Sequence, residues 1–295
     1  MKNNIIDEYP FHYRHARPNI AVDICSLGII KTIPNGNPIH GKYQADEVFS
    51  NKLMVFIQRR NEAEKWSLPG KYMHFATTPG EDNELKDGEL WKDTLERARY
   101  REWPAHKEVA GRVTDDCIKY LVPVNDDCCF QVPILDRIDR DPRGRVLSLP
   151  IVTFVGYVQP ISKELDHVAR WVPLSSDFSK DGEYSLGFDH ENIVSQSYKQ
   201  LLIEVQSRPI GLNLVSNNED FDIEEIVALY SVLFGKKFEK SNIKKQFVGK
   251  RVVCSTSKKP LEKGRRRIGE RFCFNITNYE EYKKNREFAF YPRLK

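Results

Sequence analysis

Four long apolar segments constrain the fold of this chain more than any other feature of its sequence. They are rich in β-branched and aromatic residues, and polar loops separate them, which is typical of β-strands. These segments are residues 20–30, 52–60, 115–124 and 146–158. Apolar residues recur at helical spacing in residues 92–102 and 190–206, which predicts two helices. This part of the chain is therefore predicted to form an α+β fold in which helices cover a mixed sheet.

The alternating pattern breaks at residues 207–220, where Pro, Gly and Asn residues accumulate. We predict that this segment is a linker between two domains. The first covers residues 1–206 and includes an acidic insertion at about residues 76–90. The second covers residues 221–295.

The second domain has the pattern of a winged helix-turn-helix. A helix is predicted to start at an N-cap, either Asp220 or Asp222, and to end at Gly235. A short basic helix follows at residues 240–247, with Ile243 and Phe247 on its predicted buried side. Two strands then flank a Gly-containing basic loop, and they cover residues 251–256 and 271–276. This order of elements is that of a winged DNA-binding domain.

The net charge of +4 hides an asymmetry along the sequence. Residues 236–295 hold 19 Lys or Arg and 6 Asp or Glu, a net of +13, whereas the upstream residues have a net charge of −9. A basic segment with apolar periodicity indicates binding to nucleic acid, and a solvated surface is the plainer alternative. Lysine and arginine would contact phosphates, while Asn242 and Lys245 would reach base edges in the major groove. The predicted DNA-binding residues are Asn242, Lys244, Lys245, Arg265, Arg266 and Arg267.

The first domain carries a motif that begins with the sequence WSLPG at residues 66–70, after a predicted strand that ends in arginines. Farther along, Asp93 lies eight residues before the pair Arg101 and Glu102, and Trp103 follows. These residues resemble the start and the signature helix of a Nudix domain. The resemblance implies a Nudix-like αβα sandwich with a mixed sheet.

The signature departs from that of active Nudix hydrolases at two positions. Ala105 and His106 stand where the family has adjacent glutamates, which hold the divalent cations that activate water. We therefore expect no metal, no cofactor, no catalytic residue and no pyrophosphatase chemistry. The alternative is a divergent Mg²⁺-dependent hydrolase of a nucleoside-diphosphate derivative, with ligands from the acidic insertion.

Three further blocks are similar to Nudix-related transcriptional regulators. They are RDPRG at residues 140–144, RWVPL at residues 170–174 and LGFDHENI at residues 186–193. Asn242 to Lys245 also match that family's basic recognition helix. The resemblance implies a homodimer that binds operator DNA and responds to a small effector, which is either an ADP-ribose-like nucleotide or a sugar.

Several residues of the first domain are candidates for binding this effector. They are Arg59, Arg101, Glu102, Arg140, Arg143, Asp189 and His190. Two of them also have a structural explanation: Asp189 precedes a helix and is more readily an N-cap, and Arg140 precedes a turn that an Asp–Arg pair would fix.

The remaining features indicate a soluble protein of the cytoplasm. No apolar run approaches the 18 to 20 residues, roughly, that span a bilayer, and the N-terminus lacks the order of a signal peptide. The six cysteines show no CxxC spacing, so we predict reduced thiols, with the adjacent Cys128 and Cys129 as packing residues.

An RNA-binding module is a weaker alternative to a DNA-binding regulator.

Overall fold

The structure of this protein is a computed structural model, and it describes residues 18–30, 51–60, 63–73, 90–103, 118–142, 144–161, 163, 165–256 and 270–290. The strands in the first part of the chain are β1 (Asn19–Ile30), β2 (Lys52–Arg60), β3 (Ala63–Ser67), β4 (Gly70–Tyr72), β5 (Tyr100–Trp103), β6 (Ile118–Leu121), β7 (Cys129–Gln131), β8 (Val146–Tyr157) and β9 (Ala169–Pro173). The remaining strands are β10 (Phe221–Asp222), β11 (Val253–Ser255) and β12 (Arg271–Phe274). The helices are α1 (Trp91–Arg99), α2 (His190–Ser207), α3 (Ile223–Phe234), α4 (Lys240–Gly249) and α5 (Ile276–Asn285).

Seven strands form one mixed sheet, as predicted. Its main path runs β3-β2-β1-β8-β7, while β4 pairs with β1 and β9 pairs with β2. The long central pair β1 and β8 is parallel, and the other pairs are antiparallel. Three of the four strands predicted from apolar segments agree with β1, β2 and β8 to within one residue at each end. The fourth appears as the shorter β6.

Helices cover both faces of this sheet. Alternate residues of β1 point to opposite faces, so Val22 and Ile24 pack with Leu95 of α1, whereas Cys25 and Leu27 belong to the cluster that contains α2. We call these two sides the α1 face and the α2 face. The layering is the αβα sandwich that the sequence predicts.

The helix predicted at residues 92–102 is longer than the helix that the structure shows. Helix α1 ends at Arg99, and Tyr100–Trp103 continue as β5, which pairs antiparallel with β6. Aromatic residues favour strands, and a proline at position 104 disfavours helical geometry in the residue before it. Arg101 and Glu102 are therefore strand residues, and Ala105, His106 and the acidic residues 76–89 lie outside the described residues.

The C-terminal elements form the predicted winged-helix arrangement. Asp222 caps α3 through the N–H of Glu224, and Gly235 ends this helix in the left-handed conformation, at φ 61°. Helix α4 follows, and β11 and β12 pair antiparallel in a small sheet with β10. Strand β10 and helix α5 were not predicted from the sequence. Strand β10 has only two residues, too few for an alternation to be visible.

The segment predicted as a linker, residues 207–220, contains the buried residues Ile210 and Leu212. The N–H of Ile210 donates to the hydroxyl of the buried Tyr230 at 3.2 Å. Beyond α5, the N–H groups of Phe288 and Phe290 donate to the carbonyls of Ser207 and Gln206 at 2.9 and 2.7 Å. The end of α2 is thus tied to the C-terminal elements by backbone hydrogen bonds.

Candidate functional site

A cluster of buried charges lies on the α2 face, where α2 begins. Arg140 donates from Nε and a terminal nitrogen to the two carboxylate oxygens of Asp189, at 3.1 and 2.8 Å. The same guanidinium lies 3.6 Å from the carboxylate of Asp23 on β1. Ser148 on β8 donates its hydroxyl to Asp23. Asp23 and Arg140 are almost fully buried, so each charge depends on the other for compensation.

His190 joins this cluster through both ring nitrogens. The N–H of Leu68 donates to Nδ1 at 2.9 Å, so Nδ1 acts as an acceptor and the ring proton is on Nε2. Nε2 lies 3.8 Å from the carboxylate of Asp23. The imidazole, which is 2% exposed, therefore connects the WSLPG segment to β1 and the start of α2.

Asp189 occupies the N-cap position of α2, but its side chain makes no capping hydrogen bond. The prediction that this side chain caps the helix is wrong. Its two oxygens are held instead by the fork of Arg140, which forms two charge-assisted hydrogen bonds where a cap would form one. The turn after Arg140 is present, because the N–H of Gly144 donates to the carbonyl of Asp141 at 3.3 Å. Arg140 thus pairs with Asp189 and with Asp23, and Asp141 accepts a hydrogen bond from the hydroxyl of Tyr72 at 3.0 Å.

Gly70, the last residue of WSLPG, lets this cluster close. A Cβ at this position would stand 2.3 Å from Oδ1 of Asp23 and 2.9 Å from the carbonyl oxygen of Val22. We expect Gly70→Ala to destabilise the protein by roughly 1–3 kcal/mol, the usual cost of overpacking a tight site. Gly249→Ala is the matched control, since the added Cβ would point into open space, with no described atom within 4 Å apart from its chain neighbours and the backbone of its own helix. Urea unfolding of both variants measures the difference, and equal midpoints would contradict this account.

A surface pocket of about 530 Å³ opens next to the cluster. Arg140 and Asp189 form part of its wall, and the exposed cations Lys65, Arg137 and Lys180 surround it. The acidic side chains of Asp139 and Glu191 also line it. The pocket combines several cations with amide and hydroxyl groups, which suits a ligand that carries phosphates.

The predicted effector residues do not all meet in this place. Arg140, Asp189 and His190 lie together, whereas Arg59 lies on β2, where its guanidinium carbon is 5.0 Å from the ring centre of Trp66. Arg170 lies 4.8 Å from the same ring. Trp66 and Trp171 are both buried. Arg101 and Glu102 belong to β5, and Arg143 lies outside the described residues.

Sequence reasoning missed Asp23, Ser148, Lys65 and Lys180. Asp23 carried a signal, because it is the only charged residue in a strand that is mostly apolar. A charge at such a position is almost never buried without a partner. Lys65 and Lys180 carried no signal in the sequence, since isolated lysines are ordinary surface residues.

The candidate nucleic-acid interface is the exposed side of α4. Ile243 and Phe247 are buried, as predicted, and Lys245 lies on the opposite, exposed side of the helix. Asn242 and Lys244 are half-buried on its two flanks. Lys244 forms an ion pair with Glu270 next to β12, whereas Lys245 is exposed. Arg265, Arg266 and Arg267 lie outside the described residues.

The described cysteines are free thiols, as predicted. Burial raises the pKa of Cys25 and of Cys128 to about 12 and that of Cys129 to about 11. These three residues are therefore protonated packing groups. Within the described part of the chain, no group of three or more His, Cys, Asp and Glu residues is placed to hold a metal ion, and no helix is long and apolar enough to cross a membrane.

The sequence of this chain is similar to that of a known transcriptional repressor. No protein-family profile matches the chain. The ADPR responsive transcriptional repressor NtrR of Acinetobacter baylyi (strain ATCC 33305 / BD413 / ADP1) is 26% identical over 244 residues, which cover 79% of this chain and 83% of that protein. The chain resembles the Nudix-related transcriptional regulators. That similarity extends over most of both proteins, so it is not confined to a single motif.

Solved structures are similar to this chain along most of its length. A MutT/nudix family protein from Enterococcus faecalis matches with a TM-score of 0.52 and 17% identity, over 90% of each chain. Shewanella oneidensis NrtR, in a complex with a 27mer DNA, has a TM-score of 0.49 and 15% identity over 94% of this chain and 99% of that one. The Enterococcus match confirms the Nudix-like α+β fold.

Proposed function

We propose that this chain is a cytoplasmic, homodimeric transcriptional regulator that binds operator DNA and a small effector. The single observation that carries this proposal is the exposed side of α4. It presents Asn242 and Lys245 from a helix whose opposite side is buried in a winged-helix core. Such a helix fits the major groove, where amide and ammonium groups read base edges.

The effector is proposed to be ADP-ribose or a related nucleotide, because the Acinetobacter relative is described as responsive to ADPR. We place its phosphates in the pocket at the start of α2, where Lys65 and Lys180 are exposed and the Arg140–Asp189 pair forms the wall. Arg140 then acts as a positioning residue, since both carboxylate oxygens of Asp189 occupy its guanidinium. A sugar effector would not need these cations.

Helix α2 connects this pocket to the winged helix. Its first residues, Asp189 and His190, belong to the buried cluster, and near its end Glu204 accepts a hydrogen bond from Arg286 beyond α5 at 2.9 Å. Tyr198 donates to the carbonyl of Leu233, the penultimate residue of α3, at 2.7 Å. An effector that prefers one placement of α2 would change DNA affinity by its differential affinity for the two states, and by no more than that.

ADP-ribose should therefore change the dissociation constant for duplex DNA about 5-fold or more, the usual range of such couplings. Fluorescence anisotropy of a labelled duplex, with and without saturating ADP-ribose, measures this change.

Lys180→Glu should weaken ADP-ribose binding in calorimetry about tenfold, because a repulsive charge replaces a cation at the pocket. Lys163→Glu, an exposed lysine that is not among the pocket residues, is the matched control.

The same samples test the hydrolase alternative. With Mg²⁺ present, we expect chromatography to recover ADP-ribose intact. Release of AMP and ribose phosphate would favour the divergent Nudix hydrolase, and equal DNA affinity with and without ADP-ribose would remove the proposed effector.

A further inference from the structure

Two cysteines face each other across the hairpin of the winged helix. Cys254 on β11 and Cys273 on β12 are direct partners in the antiparallel register. The thiol of Cys273 points toward the other strand, with Sγ 3.7 Å from the carbonyl oxygen of Cys254. Both are free thiols in this structure.

Both side chains lie on the more exposed side of the hairpin. Their neighbours Val253, Phe272 and Phe274 alternate to the inner side and are buried, whereas the two cysteines are half-buried. Cys273 therefore remains accessible, unlike Cys25 and Cys128. The partial desolvation of Cys273, together with the proximity of Cys254 and Glu219, raises its pKa, which keeps this thiol protonated at rest.

The hydrogen-bond pattern fixes the type of this cross-strand pair. The N–H of Thr256 donates to the carbonyl of Arg271, and the N–H of Asn275 donates to the carbonyl of Val252, both at 2.9 Å. Along an antiparallel ladder, hydrogen-bonded pairs alternate with non-hydrogen-bonded pairs. The Cys254–Cys273 pair lies two positions from the Thr256–Arg271 pair and two from the Val252–Asn275 pair, so it is also a hydrogen-bonded pair.

This geometry permits a disulfide but does not make it relaxed. Hydrogen-bonded partners have Cα atoms about 5.5 Å apart, within the range of about 4.4–6.8 Å for disulfides. Their Cβ atoms are roughly 5 Å apart, whereas a disulfide needs about 3.5–4.5 Å, so the strands must approach each other locally. A bond formed in this way is strained and partly exposed, and bonds of that kind are easily reduced again.

We propose that Cys254 and Cys273 are a reversible oxidation site of the wing, which small-molecule disulfides such as oxidised glutathione convert to an intramolecular disulfide. The thiolate of one cysteine attacks the oxidant and releases one glutathione thiol. The second cysteine then attacks the resulting mixed disulfide and releases the second. One protein disulfide and two thiols are formed, and the two cysteine protons are transferred to the released glutathione.

The bond would close a ring at the base of the hairpin. Residues 255–272 lie inside this ring, and six Lys or Arg residues occur within residues 257–269. A crosslink here removes conformational freedom from the segment that carries these charges. The proposed function places the hairpin of β11 and β12 near DNA, so the oxidation site lies close to the proposed interface. Formation of the disulfide itself does not depend on DNA binding.

The full-length protein, equilibrated in glutathione buffers from fully reduced to fully oxidised and then acid-quenched, tests this proposal. Trypsin should release peptide 252–258 linked to peptide 272–283, with a mass two hydrogens below that of the two peptides together. The linked peptide should dominate in oxidised buffer and disappear within the same titration as reduced glutathione is added. Cys254→Ser and Cys273→Ser should each abolish it, and Cys129→Ser should leave it unchanged.

Two results would overturn the proposal. One is that each peptide carries its own glutathione in oxidised buffer without forming the link. The other is that the link forms only between two protein molecules, which a mixture of isotopically light and heavy protein reveals. Neither result depends on whether the protein binds DNA, so failure of this proposal and failure of the proposed function are distinguishable.

Discussion

Arg140→Met is expected to lower the free energy of unfolding by about 3–5 kcal/mol, the typical cost of removing one partner from a buried ion pair. Arg140 has a side chain that is 3% exposed, and it compensates both Asp189 and Asp23. Methionine preserves much of the apolar volume, so the loss reports the carboxylates of Asp23 and Asp189, which are left without this cation. Urea unfolding, followed by circular dichroism and by tryptophan fluorescence, measures the change.

The neighbouring Arg137 supplies the control for this experiment. Arg137 pairs with Asp139 at 3.0 Å, but both side chains are largely exposed to water, so Arg137→Met should leave the unfolding midpoint nearly unchanged. Adding Asp189→Asn to Arg140→Met should recover part of the stability, because it removes one of the uncompensated buried charges. Equal midpoints for the Arg140 and Arg137 variants would show that the cluster is solvated and not buried.

Local patterns predicted the elements of the fold well where each element carries its own signal. Strand β2 was predicted with its observed ends, and α3 was predicted with its terminal glycine and with Asp222 as one of two candidate caps. The end of α1 was wrong because Tyr100–Trp103 pair with a strand that lies farther along the chain. A pairing partner at that distance is not visible in a helical periodicity.

The candidate site was less predictable, because it depends on register between distant strands. Asp23 and Ser148 meet only because β1 and β8 are parallel neighbours in one particular register. The same holds for Cys254 and Cys273, whose sequence spacing indicated no partnership. Residue types identified Arg140 and Asp189 as interesting, but only the tertiary structure shows that they bind each other.

Affinity for duplex DNA should fall by roughly 10³ or more between about 50 and 200 mM salt, if the winged helix neutralises six or more phosphates. The net charge of +13 over residues 236–295 supplies enough cations for that number of contacts. Each phosphate contact contributes a slope of about −0.9 to a plot of log affinity against log salt. The slope therefore counts the contacts independently of the operator sequence.

Lys245→Ala should reduce the magnitude of this slope by about one and weaken binding at low salt, if the exposed Lys245 of α4 contacts one phosphate in the proposed complex. Lys163→Ala changes the net charge equally at an exposed position far from α4 in sequence, and it should leave the slope unchanged. Identical slopes for the two variants would mean that DNA affinity depends on the overall charge of the protein and not on α4. A difference confined to Lys245→Ala would locate the contact on the helix whose opposite side carries Ile243 and Phe247 into the core.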